Sequence, residues 1–259
     1  MPNQWTSLSI EYANQRNYLD DLFRVYPVIP EGIRDIDEEK WKKVEEAFQA
    51  QDDIRLVKAL LALKLFPIKD PYVAFLRSDP SAIDRNPKTI GRLCGRLREL
   101  GLDKIWERCS EPKEANRQMG QLFRRWLAEK TLGLPILDRA SFVETDEDAI
   151  LQGGDRELGD FARENMNYVR DKGLDLVARV NDRYVIGEAK FLTDFGGHQK
   201  NQFNDAIALL KRDEVDAVKV AILDGVLYVR NNSAMFTAVT GGRYNIMSAL
   251  VLREYLHSL

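Results

Sequence analysis

The chain has 259 residues, of which 44% are hydrophobic and 31% are charged, and its formal net charge is −3 at pH 7. This composition is typical of a globular protein with a substantial core, arranged as one large domain or two smaller ones. A slightly negative chain carries no global signal for nucleic-acid binding, so any basic surface must be local.

Cysteine and histidine are too scarce for several kinds of site. Cys94 and Cys109 cannot build a disulfide framework and lie in no zinc-binding spacing, so we expect reduced thiols in a cytoplasmic protein. With only His198 and His257 present, a Ser-His-Asp or zinc hydrolase is disfavoured. The first residues show no signal peptide, and no apolar run approaches the roughly 20 residues that span a bilayer, so we expect no membrane association.

Residues 1–110 are predicted to form a mainly helical region. Apolar residues recur at helical spacing from 10 to 24, and the Pro- and Gly-containing stretch at 26–32 interrupts them. Asp37 is predicted to cap the next helix. Residues 54–65 are apolar nearly all round, which predicts a buried helix.

A segment at 80–101 could contact DNA. Asn86-Pro87 predicts a turn, and Gly101 is predicted to end the helix that follows. Lys88, Arg92 and Arg96 lie outside the apolar stripe of this helix, and Arg85 and Arg98 are two further candidates. The arrangement resembles the second helix of a helix-turn-helix motif, whose early residues face a DNA groove. A basic face that meets only solvent is an equally good interpretation.

A further helix is predicted at 112–132, ending at Gly133. Between residues 85 and 130 bases outnumber acids, whereas the rest of the chain is acidic overall. A basic middle in an acidic protein fits one face turned toward a polyanion. Another helix is predicted at 155–169.

The sequence GLDLVARVNDRYVIGEAK at 173–190 predicts two short strands around a tight turn at Asn181-Asp182. A two-residue turn sets the register of the hairpin, so Asp175 should lie directly opposite Glu188. Because side chains alternate between faces, one face should be small and apolar enough to lie in a core.

The other face of the hairpin carries Asp175, Glu188 and Lys190. Two carboxylates with Cβ atoms about 4.5–5.5 Å apart repel one another. A divalent cation bound by oxygen ligands would offset that repulsion. A surface hairpin with a solvated salt-bridge face is the alternative interpretation.

Asp175, a gap of twelve residues and then Glu188-Ala189-Lys190 resembles the PD-(D/E)XK nuclease superfamily. The Pro that usually precedes the Asp is replaced by Leu174, a departure that many members share. The resemblance implies an α/β (α+β) fold, a restriction-endonuclease-like core at 111–259 with a mixed sheet flanked by helices. Residues 1–110 would be an added N-terminal helical region.

The resemblance also implies metal-assisted hydrolysis of phosphodiester bonds. Asp175, Glu188 and the backbone carbonyl of Ala189 would hold Mg²⁺. Lys190 would orient or deprotonate the attacking water and offset negative charge in the transition state.

A third carboxylate often comes, in this superfamily, from a helix that precedes the strands. Glu114 and Glu164 are both candidates for this auxiliary acid, and the sequence does not choose between them. An acid stabilised by its helix N-terminus is the other interpretation of Glu114.

A helix is predicted after the Gly196-Gly197 loop, and its first turn is polar. The residues of this turn are His198, Gln199, Lys200, Asn201 and Gln202. Gln and Asn pair with adenine, Lys contacts guanine or phosphate, and a helix N-terminus favours phosphate oxygens. We therefore predict DNA contacts here, with a turn that touches only water as the alternative.

Residues 218–229 predict a second hairpin around Asp224-Gly225, with strands buried against helices. A last helix is predicted at 247–256. The chain has no helicase or ATPase motif and no internal repeat.

Together these features resemble a stand-alone Type II restriction endonuclease, the cleaving half of a restriction-modification system. We predict a Mg²⁺-dependent hydrolase of double-stranded DNA that acts as a homodimer, because one site cuts one strand. The predicted dimer surface is formed by Tyr12, Tyr18, Leu19, Leu22 and Phe23, and burial of these residues in the core is an equally good interpretation. A resolvase or repair nuclease, a non-catalytic DNA-binding regulator and a helical protein–protein adaptor are the alternatives.

Overall fold

The computed structural model describes residues 2–15, 17–27, 35–111, 119–242 and 244–259. Contacts divide the chain into two compact units. The core unit comprises Met1–Val28 and Ala115–Leu259, and the helical unit comprises Ile29–Glu114. Within the described ranges, no helix is long and apolar enough to cross a membrane.

The chain begins in the core unit with two helices, α1 (Gln4–Ala13) and α2 (Tyr18–Val25). Both pack on the C-terminal part of that unit. The Thr6 hydroxyl donates to the Ile246 carbonyl at 2.7 Å, and the Tyr26 hydroxyl donates to Asp224 at 2.8 Å. From the sequence, α1 and α2 are predicted to belong with residues up to 110, because no local pattern reveals such distant partners.

The helical unit contains α3 (Glu38–Gln49), α4 (Asp53–Leu61), α5 (Pro71–Ser78), α6 (Ala82–Arg85), α7 (Pro87–Leu100) and α8 (Leu102–Cys109). The predicted cap is confirmed, since Asp37 accepts from the Lys40 N–H at 3.1 Å. Gly101 ends α7 with a φ of 77°, as its position predicts. Cys94 and Cys109 are free and buried, as expected.

The core unit continues with α9 (Met119–Ala128), α10 (Arg139–Glu144), α11 (Asp155–Asn165), α12 (Gly197–Leu210), α13 (Ala234–Thr240) and α14 (Leu252–Leu256). Its strands are β1 (Ile136–Leu137), β2 (Ala149–Leu151), β3 (Leu176–Val180), β4 (Arg183–Leu192), β5 (Val218–Gly225) and β6 (Ile246–Met247). They form one sheet in sequential order. The pairs β2–β3 and β3–β4 are antiparallel, and the other pairs are parallel. A mixed sheet flanked by helices confirms the predicted fold class.

The central hairpin has the predicted turn and register. Asn181 and Asp182 both adopt positive φ, 48° and 59°, which is the backbone of a type I′ turn. Val180 pairs with Arg183 and Ala178 pairs with Val185, as a two-residue turn requires. Helices cover both faces of β3 and β4, so the hairpin lies inside the core unit.

The second predicted hairpin is wrong. β5 ends at Gly225, and Val226–Tyr228 form a single 3₁₀ turn instead of a returning strand. The reason is that β5 already has parallel partners on both sides, β4 and β6. Gly225 has a φ of 93°, and a Cβ there would lie 2.1 Å from the Leu192 carbonyl oxygen. Glycine is therefore required here, because the backbone of β5 comes very close to that of β4.

The end of β5 carries a buried carboxylate without a described ion-pair partner. Asp224 is fully buried and accepts hydrogen bonds from the Tyr26 hydroxyl, the Ser248 hydroxyl and the Ala249 N–H. These donors come from the end of α2 and from the turn after β6. The predicted helix at 247–256 is shortened accordingly: β6 occupies Ile246–Met247, and α14 begins at Leu252.

Candidate active site

Two neighbouring strands bring the predicted acids together. Asp175 directly precedes β3, and its N–H donates to the Gly187 carbonyl at 3.0 Å, beside the last ladder pair, Leu176 and Gly187. Glu188 and Lys190 follow on β4. The two acids are only 7% and 5% exposed, so the solvated surface hairpin is ruled out.

Both oxygens of Asp175 are held by donors. Oδ1 accepts from Nη1 of Arg124 at 2.8 Å. Oδ2 accepts from the Ala189 N–H at 3.0 Å and lies 3.5 Å from Nζ of Lys190. The carboxylate is therefore fixed at both oxygens by groups on α9 and β4.

The ammonium group of Lys190 lies between the two carboxylates. Its Nζ is 2.7 Å from Oε2 of Glu188 and 3.5 Å from Oδ2 of Asp175. Burial alone lowers the pKa of Lys190, but Asp175 and Glu188 together outweigh burial and raise the pKa above its ordinary value. Lys190 is therefore a cation that bridges the two acids.

Burial of the Glu188 carboxylate disfavours its charged form. Burial raises the pKa of Glu188 above its ordinary value, while the nearby Lys190 opposes the shift. Its other oxygen, Oε1, lies 3.9 Å from Nη1 of the nearly buried Arg170. Arg170 is in turn held by Asp205 of α12, through a 3.3 Å hydrogen bond to its carbonyl and a 3.9 Å ion pair.

The donor set fits a hard divalent cation. Asp175 and Glu188 supply carboxylate oxygens, which Mg²⁺ prefers. The Ala189 N–H points at Asp175, and the N–H and C=O of one extended residue share a strand edge, so its carbonyl lies on the same side. Among the described residues, no group of three or more His, Cys, Asp or Glu side chains is assembled here or elsewhere.

Of the two candidates for a third acid, the structure describes only Glu164. Glu164 lies on α11, where it pairs with Arg139 and its side chain is half exposed. It makes no described contact with Asp175 or Glu188. Glu114 lies outside the described residues.

The first turn of α12 begins at Gly197, as predicted, and most of it is exposed. His198, Lys200 and Asn201 face solvent, and Gln202 is half-buried. Gln199 differs, because it is only 4% exposed and its amide nitrogen donates to the Thr193 hydroxyl at 3.1 Å. Gln199 therefore holds the preceding loop.

The three predicted bases of α7 belong to the helical unit. Lys88, Arg92 and Arg96 are exposed at a spacing of four residues and form one side of the helix, the α7 basic row. Arg92 is anchored by a 2.6 Å ion pair with Asp70 and lies over the ring of Tyr72.

Sequence reasoning missed Arg124 and Arg170 as neighbours of the acids. Arg124 is 51 residues from Asp175, and Arg170 lies in an irregular stretch before β3. Bases recur throughout both regions, and nothing in their spacing distinguishes these two. Only the packing of α9 and α12 against the sheet does so.

A comparison with protein families gives one match. The model described as Tsp45I type II restriction enzyme matches residues 3–259 of this chain. No curated protein and no solved structure matches.

Proposed function

The chain belongs to the Tsp45I type II restriction enzyme family, and we propose that it cuts duplex DNA with Mg²⁺ at Asp175, Glu188 and Lys190. The family makes it a site-specific deoxyribonuclease. The observation that supports the assignment of the site is the ammonium group of Lys190 bridging two buried carboxylates on adjacent strands. The Lys190 ammonium group thus places a positive charge between the two carboxylates.

The residues of this site have separate tasks in the proposed reaction. When bound, Mg²⁺ polarises a phosphoryl oxygen and lowers the pKa of a coordinated water. Asp175 and Glu188 would hold the ion, with the Ala189 carbonyl as a third oxygen ligand. The Ala189 N–H keeps Asp175 in place through their 3.0 Å hydrogen bond.

Lys190 would have a second role with a divalent cation held by the two acids. Its ammonium group would orient the attacking water or offset negative charge in the transition state. The side chain of Lys190 is 25% exposed, so it lies at the mouth of the site, where a phosphate would arrive.

The experiment for this function uses plasmid DNA. The purified protein incubated with Mg²⁺ should yield discrete fragments with one set of end sequences, and a chelator should stop the reaction. A smear of unrelated ends, or cutting that persists in excess chelator, would contradict the proposed Mg²⁺-dependent, sequence-specific cleavage.

We place DNA-backbone contacts on the α7 basic row and on the exposed first turn of α12. Lys88 and Arg96 present positive charges along one side of a helix, with Arg92 between them in an ion pair with Asp70. Such residues position a protein on DNA through phosphates and contribute little to the bond-breaking step. Lys200 and Asn201 lie at an uncapped helix N-terminus, which favours phosphate oxygens.

Arg96→Ala should weaken DNA binding and lower the slope of log affinity against log salt by about one unit, the value for one lost phosphate contact. Cleavage of bound DNA should keep its rate, since Arg96 is not part of the acid cluster. Fluorescence anisotropy at several salt concentrations and single-turnover cleavage test both statements. Glu99→Gln on the same helix is the matched control, because it alters charge without removing a base. An unchanged salt slope for Arg96→Ala would mean that the row meets only solvent.

We further propose a two-fold dimer, because the proposed site cuts one strand and a duplex has two. The residues of the predicted dimer surface differ in their exposure. Tyr18 and Leu22 are buried in the core unit, whereas Leu19 and Phe23 are 71% and 56% exposed. These two exposed residues lie one turn apart on α2 and form the apolar patch that we assign to the dimer.

Mixing the enzyme with excess Lys190→Ala protein should convert linear products into nicked plasmid, because mixed dimers retain one working site. Agarose gels separate the two products directly. Adding the same excess of a Leu19→Asp, Phe23→Asp, Lys190→Ala triple variant is the control, because it should not enter dimers. Unchanged double-strand cleavage in the first mixture, together with a monomeric mass on DNA, would exclude the dimer.

A further inference from the structure

Arg124 is the basic residue that holds the side of Asp175 facing away from Lys190. Its Nη1 donates to Oδ1 of Asp175 at 2.8 Å, and its side chain is 27% exposed. A charge-assisted bond of this length is among the stronger polar contacts in proteins. It joins α9 to the residue that opens β3.

The backbone of α9 also comes unusually near to Asp175. Gly120 lies one turn before Arg124, on the same side of the helix. A Cβ at Gly120 would lie 3.3 Å from Oδ1 of Asp175 and 3.7 Å from Nη1 of Arg124. Glycine suits this position because a side chain here would crowd the carboxylate oxygen. Gly120 and Arg124 thus form a cradle for one carboxylate oxygen.

The two oxygens of Asp175 therefore face different groups. Oδ1 is taken by the α9 cradle, while Oδ2 faces the Ala189 N–H and the ammonium group that Glu188 shares. With Oδ1 held, the carboxylate cannot rotate about its χ2 torsion without breaking the bond to Arg124. Oδ2 then remains directed toward Glu188.

We propose that Arg124 is a positioning residue that orients Asp175 for binding the divalent cation. The inference rests on the proposed function in that Asp175 and Glu188 are taken as the cation's ligands. Residues that orient metal ligands typically change metal affinity or activity by about 10–100-fold when they are removed.

A purely electrostatic role for Arg124 predicts the opposite result. Arg124 is a positive charge next to the site, so its removal would strengthen cation binding if it acted only through its charge. Positioning predicts weaker binding. The direction of the change in affinity therefore separates the two roles.

The test is a titration of the full chain with Mn²⁺. Calorimetry and electron paramagnetic resonance of the free ion both measure the binding. Arg124→Ala should bind Mn²⁺ about 10–100-fold more weakly. Arg124→Lys should recover part of the loss, because an ammonium group can still donate to Oδ1. Arg125→Ala is the matched control: Arg125 is the exposed neighbour on the same helix, and its removal changes the net charge equally. It should bind Mn²⁺ as the unmodified protein does.

Gly120→Ala is a second variant that leaves every charge in place. Its methyl group would intrude on the bond between Arg124 and Asp175, so Mn²⁺ binding should weaken here too. Thermal unfolding of each variant shows whether it is folded. If Arg124→Ala is unfolded, the Mn²⁺ affinities of Gly120→Ala and Arg124→Lys still test the inference.

Two results would overturn the inference in distinguishable ways. If Asp175→Asn removes Mn²⁺ binding but Arg124→Ala binds as tightly as the unmodified protein, or more tightly, Arg124 does not position the ligand. If Mn²⁺ binding by the unmodified protein does not depend on Asp175, the proposed metal site fails, and the role of Arg124 fails with it.

Discussion

Asp175→Asn and Glu188→Gln should each abolish DNA cleavage while the protein stays folded and still binds DNA. Each change removes a carboxylate that the proposed cation needs. Metal-ion catalysis supplies several kcal/mol of transition-state stabilisation, and its loss lowers the rate by about a thousandfold or more. The measurement is single-turnover cleavage of plasmid DNA at saturating Mg²⁺.

The fold should tolerate both changes because each relieves repulsion between two buried acids. The amide side chains of the two variants keep the shape of the carboxylates that they replace, and their oxygens can still accept a hydrogen bond from Lys190. In Asp175→Asn the amide nitrogen can no longer accept from Arg124, which costs one hydrogen bond. In the absence of Mg²⁺, DNA binding should be unchanged or tighter, since one negative charge near the phosphate is gone. Glu164→Gln is the matched control, because this acid pairs with Arg139 away from the site. Cleavage at the ordinary rate by either active-site variant would refute the assignment.

Asp224→Asn should change the pH dependence of stability by about 3 kcal/mol between pH 4 and pH 7. Burial raises the pKa of Asp224 from 3.8 to about 6, although Ser248, Tyr26 and Ala249 donate hydrogen bonds that lower it. The folded protein therefore binds a proton that the unfolded chain has released in this interval. Asp224 contributes most below pH 4, and its contribution is lost as the pH rises through 6. A difference of roughly two pKa units corresponds to about 3 kcal/mol.

The measurement is urea unfolding of both proteins at pH 4 and at pH 7. From pH 4 to pH 7, the free energy of unfolding of the Asn variant should rise by about 3 kcal/mol relative to that of the unmodified protein. An Asn side chain fits because its oxygen can accept from Tyr26 and Ala249, while the Ser248 hydroxyl can turn to accept from its nitrogen. Ser248→Ala is a control that removes one hydrogen bond and leaves the acid. Parallel pH profiles for the Asp and Asn proteins would contradict the raised pKa.

The central hairpin could be predicted because its determinants are local. A two-residue turn sets the register, alternation sets the faces, and together they place Asp175 beside Glu188 and Lys190 without further information. The cap at Asp37 and the end of α7 at Gly101 were predictable for the same reason. Each depends on residues within one or two turns of chain.

The rest of the site could not be predicted because it depends on distant packing. Arg124 and Arg170 reach the acids only after α9 and α12 have packed against the sheet, and many other bases share their sequence context. Asp224-Gly225 shows the converse error. Its local signal for a hairpin turn is strong, but parallel pairing of β5 with two neighbours overrides it.

The attachment of α1 and α2 to the end of the core unit has a consequence for synthesis of the chain. Thr6 needs the Ile246 carbonyl, and Tyr26 needs Asp224, across sequence separations of 240 and 198 residues. Domains with many such distant contacts fold slowly, because loop closure precedes the gain in contact energy. On the ribosome the helical unit can form early, whereas α1 and α2 must wait until β5 and β6 have been made. β4 gains its parallel partner at the same late stage, so the nascent chain carries the acids of the site before the sheet around them is complete.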